Sequence, residues 1–256
     1  MDPFQRVREG ELRGPVTHVA AVTTHPGVQR ILPQVFIGSA QTFTEAFAQQ
    51  FNEEAPGPVY FWRERSAWNS GALMLRFLEL LAAMLHTWLS DWQPILLMDT
   101  ASCHLSAEVT AKANELGFWL LVAPAQLTWL LQPLDANGFA AYKAFLRREH
   151  RLLASLAPDG VVAERDWAKL LCRVATEFLV NRNWARAFSG TGAAGDQTSL
   201  SRTLYSQLRP CTEVEVASVP PGAPATEHLK RLFPRNRRVN IASYFQPVVD
   251  ALLAPP

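Results

Sequence analysis

ILLMDTASCHLS, residues 95–106, is the stretch whose reading decides the fold. Four apolar residues run into Asp99, a turn of small residues follows, and His104 precedes a helix start at Ser106. A short unbroken apolar run such as PILLMD (94–99) has the pattern of a strand buried on both faces. A carboxylate closing such a strand lies at the sheet edge where α/β folds place their sites.

Outward from Asp99 the pattern alternates. SAEVTAKANELG (106–117) reads as a helix with Ser106 as its N-cap and Gly117 as its stop. FWLLVAP (118–124) reads as a second buried strand, LTWLLQPLD (127–135) as a loop, and ANGFAAYKAFLRREHRLLASL (136–156) as a helix with a basic outer face. Strand, helix, strand, helix favours parallel pairing in an α/β sheet. Upstream, VTHVAAVTTH (16–25) and ILPQVFIG (31–38) are strands joined through the Pro26-Gly27 turn, which makes a hairpin. Phe43, Phe47 and Phe51 share one face of a short helix within 39–54, PVYFW (58–62) starts as a strand, and residues 71–90 form a strong helix. Downstream, AERDWAKLLCRVATEFL (163–179) is an amphipathic helix. From about residue 190 Gly, Ser, Thr and Pro accumulate. The expected division is a polar leader (1–16), an α/β domain (17–157), a helical extension (158–190), and a largely irregular, flexible tail (191–256).

Composition narrows the function classes. The 256 residues are 48% apolar and 18% charged, so the chain can bury a core and is not disordered overall. A formal net charge of +1 leaves any polyanion contact to local patches. Cys103, Cys172 and Cys211 lack zinc-ligand spacing, and an odd count argues against a disulfide framework. The opening MDPFQRVREGELRGP lacks a signal peptide's apolar core, so a reducing, intracellular compartment is expected. LMLRFLELLAAMLHTWL (73–89) carries Arg76, Glu79 and His86, which suits a core helix and not a membrane span.

Asp135 is a second candidate carboxylate. Thirty-five residues, 100–134, separate it from Asp99, room for one strand–helix–strand excursion that returns both acids to the same end of a sheet. Converging hard oxygens without Cys or His suit Mg²⁺, and two such ions can clamp the attacking and leaving oxygens of a phosphodiester. Each acid also has a plainer reading: Asp135 as an N-cap, Asp99 as the cap of its own turn.

LLMDTASCHLS followed by VAPAQLTWLLQPLDANGFAAYKAFLRRE resembles the DDE superfamily of transposase-like endonucleases, in its pogo/jerky/mariner branch. The matching positions are Asp99, His104, Pro124, Gln132, Pro133, Leu134 and Asp135, and the resemblance covers roughly 16–156. It implies an RNase H-like mixed sheet with flanking helices, a divalent metal (Mg²⁺ or Mn²⁺), no small-molecule cofactor, and cleavage or transfer of DNA strands. Asp99 and Asp135 carry over as the second and third acidic ligands, catalytic and metal-binding, and His104 as a position only.

The family's first acid lies on a strand ahead of the hairpin. Asp2, Glu9 and Glu11 are the acids available there, and QRVREGELRG is too polar to be a central strand. The resemblance therefore implies that the first strand and its ligand are missing, as in a truncated or decayed transposon copy, and that catalysis is poor or lost. In that layout the missing strand lies between the hairpin and the strand of Asp99, so either the hairpin closes directly on that strand or two neighbours stay unpaired. Candidate DNA contacts are Arg63 and Arg65 with Trp68, then His104, then Arg147, Arg148 and Arg151. The run LKRLFPRNRRVN adds Lys230, Arg231, Arg235, Arg237 and Arg238, a nucleic-acid contact or nuclear-import signal. Two alternatives stand beside an enzyme: a domesticated, non-catalytic DNA-binding protein, and an unrelated α/β scaffold that binds no nucleic acid.

Overall fold

The structure, a computed structural model, describes residues 16–194 except 41, 56 and 124–127. The leader, the tail and the basic cluster at 230–238 therefore lie outside the described residues. So do Asp2, Glu9, Glu11 and Pro124.

β1 (Val16–Ala20) and β2 (Gln34–Gly38) pair antiparallel, with His18 opposite Phe36 and Ala20 opposite Gln34. The link between them contains one helical turn, α1 (Pro26–Gln29), so the expected hairpin is present with a longer connection. β3 (Val59–Arg63) adds parallel to β2, giving the order β1-β2-β3. As the middle strand β2 is buried along its whole length.

Between β2 and β3 lies α2 (Glu45–Glu54), whose N-cap Thr44 accepts a hydrogen bond from the Phe47 amide at 3.1 Å. Phe43 and Phe47 stack with centroids 4.8 Å apart, Phe47 and Phe51 stand 4.6 Å apart, and all three rings surround Phe61 of β3. The i, i+4, i+8 phenylalanines read from the sequence are thus one wall of the core. α8 (Glu164–Ala175) supplies the other wall through Ala168, Leu171, Cys172 and Ala175. Asn52 of α2 closes the free edge of β3: its side chain accepts from the Phe61 N–H (2.7 Å) and donates to the Phe61 carbonyl (2.9 Å). An edge strand otherwise leaves such groups unpaired.

α3 (Gly71–Leu89) is capped by Ser70 and is long and apolar enough to cross a membrane by length and composition. In this fold Leu73, Met74, Phe77, Leu78, Leu81 and Leu85 are buried, as expected of a core helix. α4 (Ala107–Glu115) packs on it, and Lys112 of α4 pairs with Glu79 of α3 at 3.2 Å. Gly117, at φ +81°, ends α4, and the Phe118 amide reaches back to the Ala113 carbonyl.

β4 (Ile95–Met98) and β5 (Trp119–Val122) form a separate two-stranded sheet. Bonds from Trp119 N to Pro94 O and from Ala123 N to Met98 O advance in step along both strands, which makes them parallel, as the alternation predicts. The expectation that both strands are buried on both faces is corrected. Ile95 is 62% exposed, Trp119 61% and Leu121 52%. The in-step register puts all three on one face, and a sheet of two strands does not bury it.

The remaining helices are α5 (Thr128–Leu131), α6 (Pro133–Asn137), α7 (Phe139–Leu156) and α9 (Ala185–Gly190), with a π-helical turn at Thr176–Val180 extending α8. The helix read as 136–156 is broken at Gly138, the N-cap of α7. Two compact units interleave in sequence. One holds described residues 16–96, 101–120 and 138–185, the other 97–100, 121–137 and 186–194. An α/β fold of small mixed sheets flanked by helices is what the sequence led us to expect.

Candidate active site

Asp99 follows the last residue of β4 and is half-buried. The bond from Ala123 N to Met98 O sets Ala123, at the end of β5, beside it. Parallel strands deliver their C-terminal ends to one edge, so the segment that leaves Ala123 for α5 and α6 starts at the edge where Asp99 stands. That segment ends in QPLD. Pro133 and Leu134 are buried and Asp135 is exposed in the first turn of α6, where a carboxylate suits the helix dipole. Asp135 is the third residue of that helix and not its N-cap. Asp99 and Asp135 fall in the same compact unit.

Two carboxylates are what the described residues offer from the expected ligand set. Among these residues no three His, Cys, Asp or Glu side chains come close enough to hold a metal ion. This donor set does not fit a complete two-metal centre. His104 is half-buried in the turn ahead of α4, its amide bonded to the Ala101 carbonyl at 2.8 Å.

The basic candidates divide by what they already touch. Arg63 donates from Nε to the Phe43 carbonyl (2.8 Å) and lies 3.7 Å from Glu45, so it fastens the start of α2. Arg65 is exposed in a loop whose Ala67 is buried at φ +58°, a conformation uncommon for a residue with a Cβ. That loop presents Trp68, which is 70% exposed, whereas Trp62 is core and carries Arg76 over its ring at 4.3 Å. On α7, Arg148 donates two bonds to Glu149 (3.0 and 2.9 Å) and lies over Phe145. Arg147 and Arg151 are exposed.

Within the larger unit a polar relay escaped the sequence reading. His18 Nδ1 lies 2.7 Å from the Tyr142 hydroxyl and its ring stacks on Phe36 at 4.1 Å. Burial pushes the His18 pKa down to about 3, with the Gln34 side chain acting in the opposite direction. Burial also raises the Tyr142 pKa. Gln34 directs its amide nitrogen to the carbonyls of Ala21 (2.7 Å) and Leu32 (3.2 Å), leaving Oε1 without a bond of good geometry. His18 Nε2 is likewise buried without a bond of good geometry, so the Tyr142 hydroxyl is the ring's one polar partner, and a hydrogen on Nε2 would leave Nδ1 to accept from it. The signal was present in the sequence: His18 and Gln34 interrupt apolar runs that otherwise form strands.

The sequence profile of the family described as DDE superfamily endonuclease matches residues 22–185, well over half of the chain. The chain belongs to the DDE superfamily of endonucleases. The match spans Asp99 and Asp135 and continues through α8 to Ala185, beyond the 16–156 covered by the motifs. Neither the curated proteins nor the solved structures searched gave a match. In this DDE domain the hairpin does not close on the Asp99 strand. The sheets β1-β2-β3 and β4-β5 stay separate among the described residues.

Proposed function

We propose that this DDE domain, of the pogo/jerky/mariner branch and transposon-derived, binds DNA and is a weak or inactive nuclease on its own. The observation that supports this most is the family match across Asp99 and Asp135 in a fold whose described residues bring no three His, Cys, Asp or Glu together. In the proposed site Asp99 and Asp135 hold one Mg²⁺ or Mn²⁺ weakly through hard carboxylate oxygens. When bound, the ion supplies charge stabilisation at a phosphodiester oxygen. A third carboxylate beside Asp99 and Asp135 would complete the site. The run at 230–238 serves nuclear import on this reading, which makes the protein nuclear.

The experiment is a Mn²⁺ titration by calorimetry with plasmid nicking followed on the same samples, for wild type, Asp99→Ala and Asp135→Ala. Expected are weak binding by wild type, its loss in both variants, and little or no nicking throughout. Efficient nicking by wild type that both variants abolish shows an intact centre and rejects the impaired reading. Metal binding unchanged in both variants rejects the ligand assignment.

A further inference from the structure

α7 has the sequence FAAYKAFLRREHRLLASL, and Glu149 is its single acid. That acid is occupied by cations on its own side: Arg148 at 2.9 Å and Arg173 of α8 at 3.2 Å. Lys143, Arg147 and Arg151 stand on a different line, at i, i+4 and i+8, and all three are exposed. Tyr142 is buried and Phe145, Leu146, Glu149 and Leu153 are half-buried, which turns the 143–147–151 line away from the core. Like charges at i, i+4 destabilise a helix, and no acid sits within this line to offset them. Lys143 also caps the half-buried ring of Phe139 at 5.4 Å, which places the first cation.

We propose that Lys143, Arg147 and Arg151 form a rail that holds one strand of a DNA backbone. The assignment rests on the DNA-binding reading above and names the surface that carries it. Positions four residues apart on a helix rise by about 6 Å. A DNA strand winds about its axis, so its phosphates, which rise by about 3.4 Å each, lie farther apart than that along the strand, at a spacing of the same order as that of the cations. The rail differs from the basic set read in the sequence. It adds Lys143, which stands apart from the RREHR run, and sets aside Arg148, which is held by Glu149 and Phe145.

The test is the salt dependence of binding to a short fluorescent duplex of arbitrary sequence, read by anisotropy. In the triple variant Lys143→Gln/Arg147→Gln/Arg151→Gln the slope of log K against log salt is expected to shrink by about 2.7, or about 0.9 per lost phosphate contact. The control Lys112→Gln/Arg165→Gln/Arg173→Gln removes the same charge from cations already paired with Glu79, Glu54 and Glu149, and is expected to keep the wild-type slope. Should the rail triple fold poorly, the single Arg147→Gln and Arg151→Gln variants are each expected to lose about 0.9. An unchanged slope in the rail variants, or an equal fall in both triples, overturns the rail while leaving DNA binding standing. Absence of wild-type binding at low salt overturns the DNA reading itself, and the rail with it.

Discussion

Lowering the pH from 7 to 5 should destabilise this protein through His18. The unfolded chain takes up a proton on that ring near the ordinary histidine pKa of about 6.5. The folded chain resists until about pH 3, because the ring is buried, stacked on Phe36 and beside Tyr142. Between these values the unfolded state binds more protons, so stability falls as pH falls, with a slope approaching 1.36 kcal/mol per pH unit. Integrated from pH 7 to 5 the loss is about 2 kcal/mol. That is a large part of the ~5–15 kcal/mol available to a domain. Urea unfolding at pH 7, 6 and 5 measures it, in wild type and in His18→Leu. Subtracting the two series removes what the other five histidines contribute. His18→Leu orphans the Tyr142 hydroxyl and so is less stable at pH 7, but its stability should change less between pH 7 and 5 by about 2 kcal/mol. Tyr142→Phe leaves the ring buried and should retain the wild-type slope. Equal pH slopes in wild type and His18→Leu would refute the argument.

Two packing predictions accompany it. A Cβ added at Gly38 would lie 2.5–2.8 Å from ring atoms of Phe43, which Phe47 and Phe61 hold in place. Gly38→Ala should therefore lower stability by about 1–3 kcal/mol, although glycine in a strand is ordinarily the weaker choice; an unchanged or higher urea midpoint contradicts this. Asn52→Ala takes the partner from both the N–H and the C=O of Phe61. It should cost about 1–2 kcal/mol, since the bonds are part-buried and water replaces some of what is lost. Gln50→Ala, which removes only an exposed contact to Glu54, is the comparison, and equal midpoints for the two variants would sink the edge-closing role.

Much of the fold was legible because its signals are local. Ser106, read as an N-cap, accepts from the amide three residues on, and Gly117, read as a stop, takes the positive φ that ends a helix. Phe43, Phe47 and Phe51 repeat at the helical period and form one wall of a core. What the sequence hid is non-local. An unbroken apolar strand looks the same whether its neighbours cover it or not, so Ile95, Trp119 and Leu121 were assigned to an interior they do not occupy. The parallel pairing of β2 with β3 likewise joins strands across an intervening helix and leaves no periodic mark. Of the proposed site, Asp99 and Asp135 are singled out by motif and by the strand–helix–strand spacing between them. The His18–Tyr142 contact is not, because 124 residues separate the two partners.

The same distinction governs which basic residues can meet DNA. A sequence shows only that a cation is present, and it is the fold that shows whether an internal partner already holds it. Arg63 is fixed by a buried backbone carbonyl and a carboxylate, so moving it to a phosphate would unfasten the turn that starts α2. Arg148 and Arg173 converge on Glu149, whose side chain is mostly buried, and a phosphate would have to replace that carboxylate for either of them. Arg147 and Arg151 face no such exchange, Lys143 gives up only a contact with the Phe139 ring, and an arriving phosphate relieves repulsion among all three. Counterion release favours cations whose neutralisation by DNA breaks nothing inside the protein. By that criterion the rail on α7 is a stronger candidate for the proposed DNA-binding surface than the larger set of basic residues that the sequence alone offers.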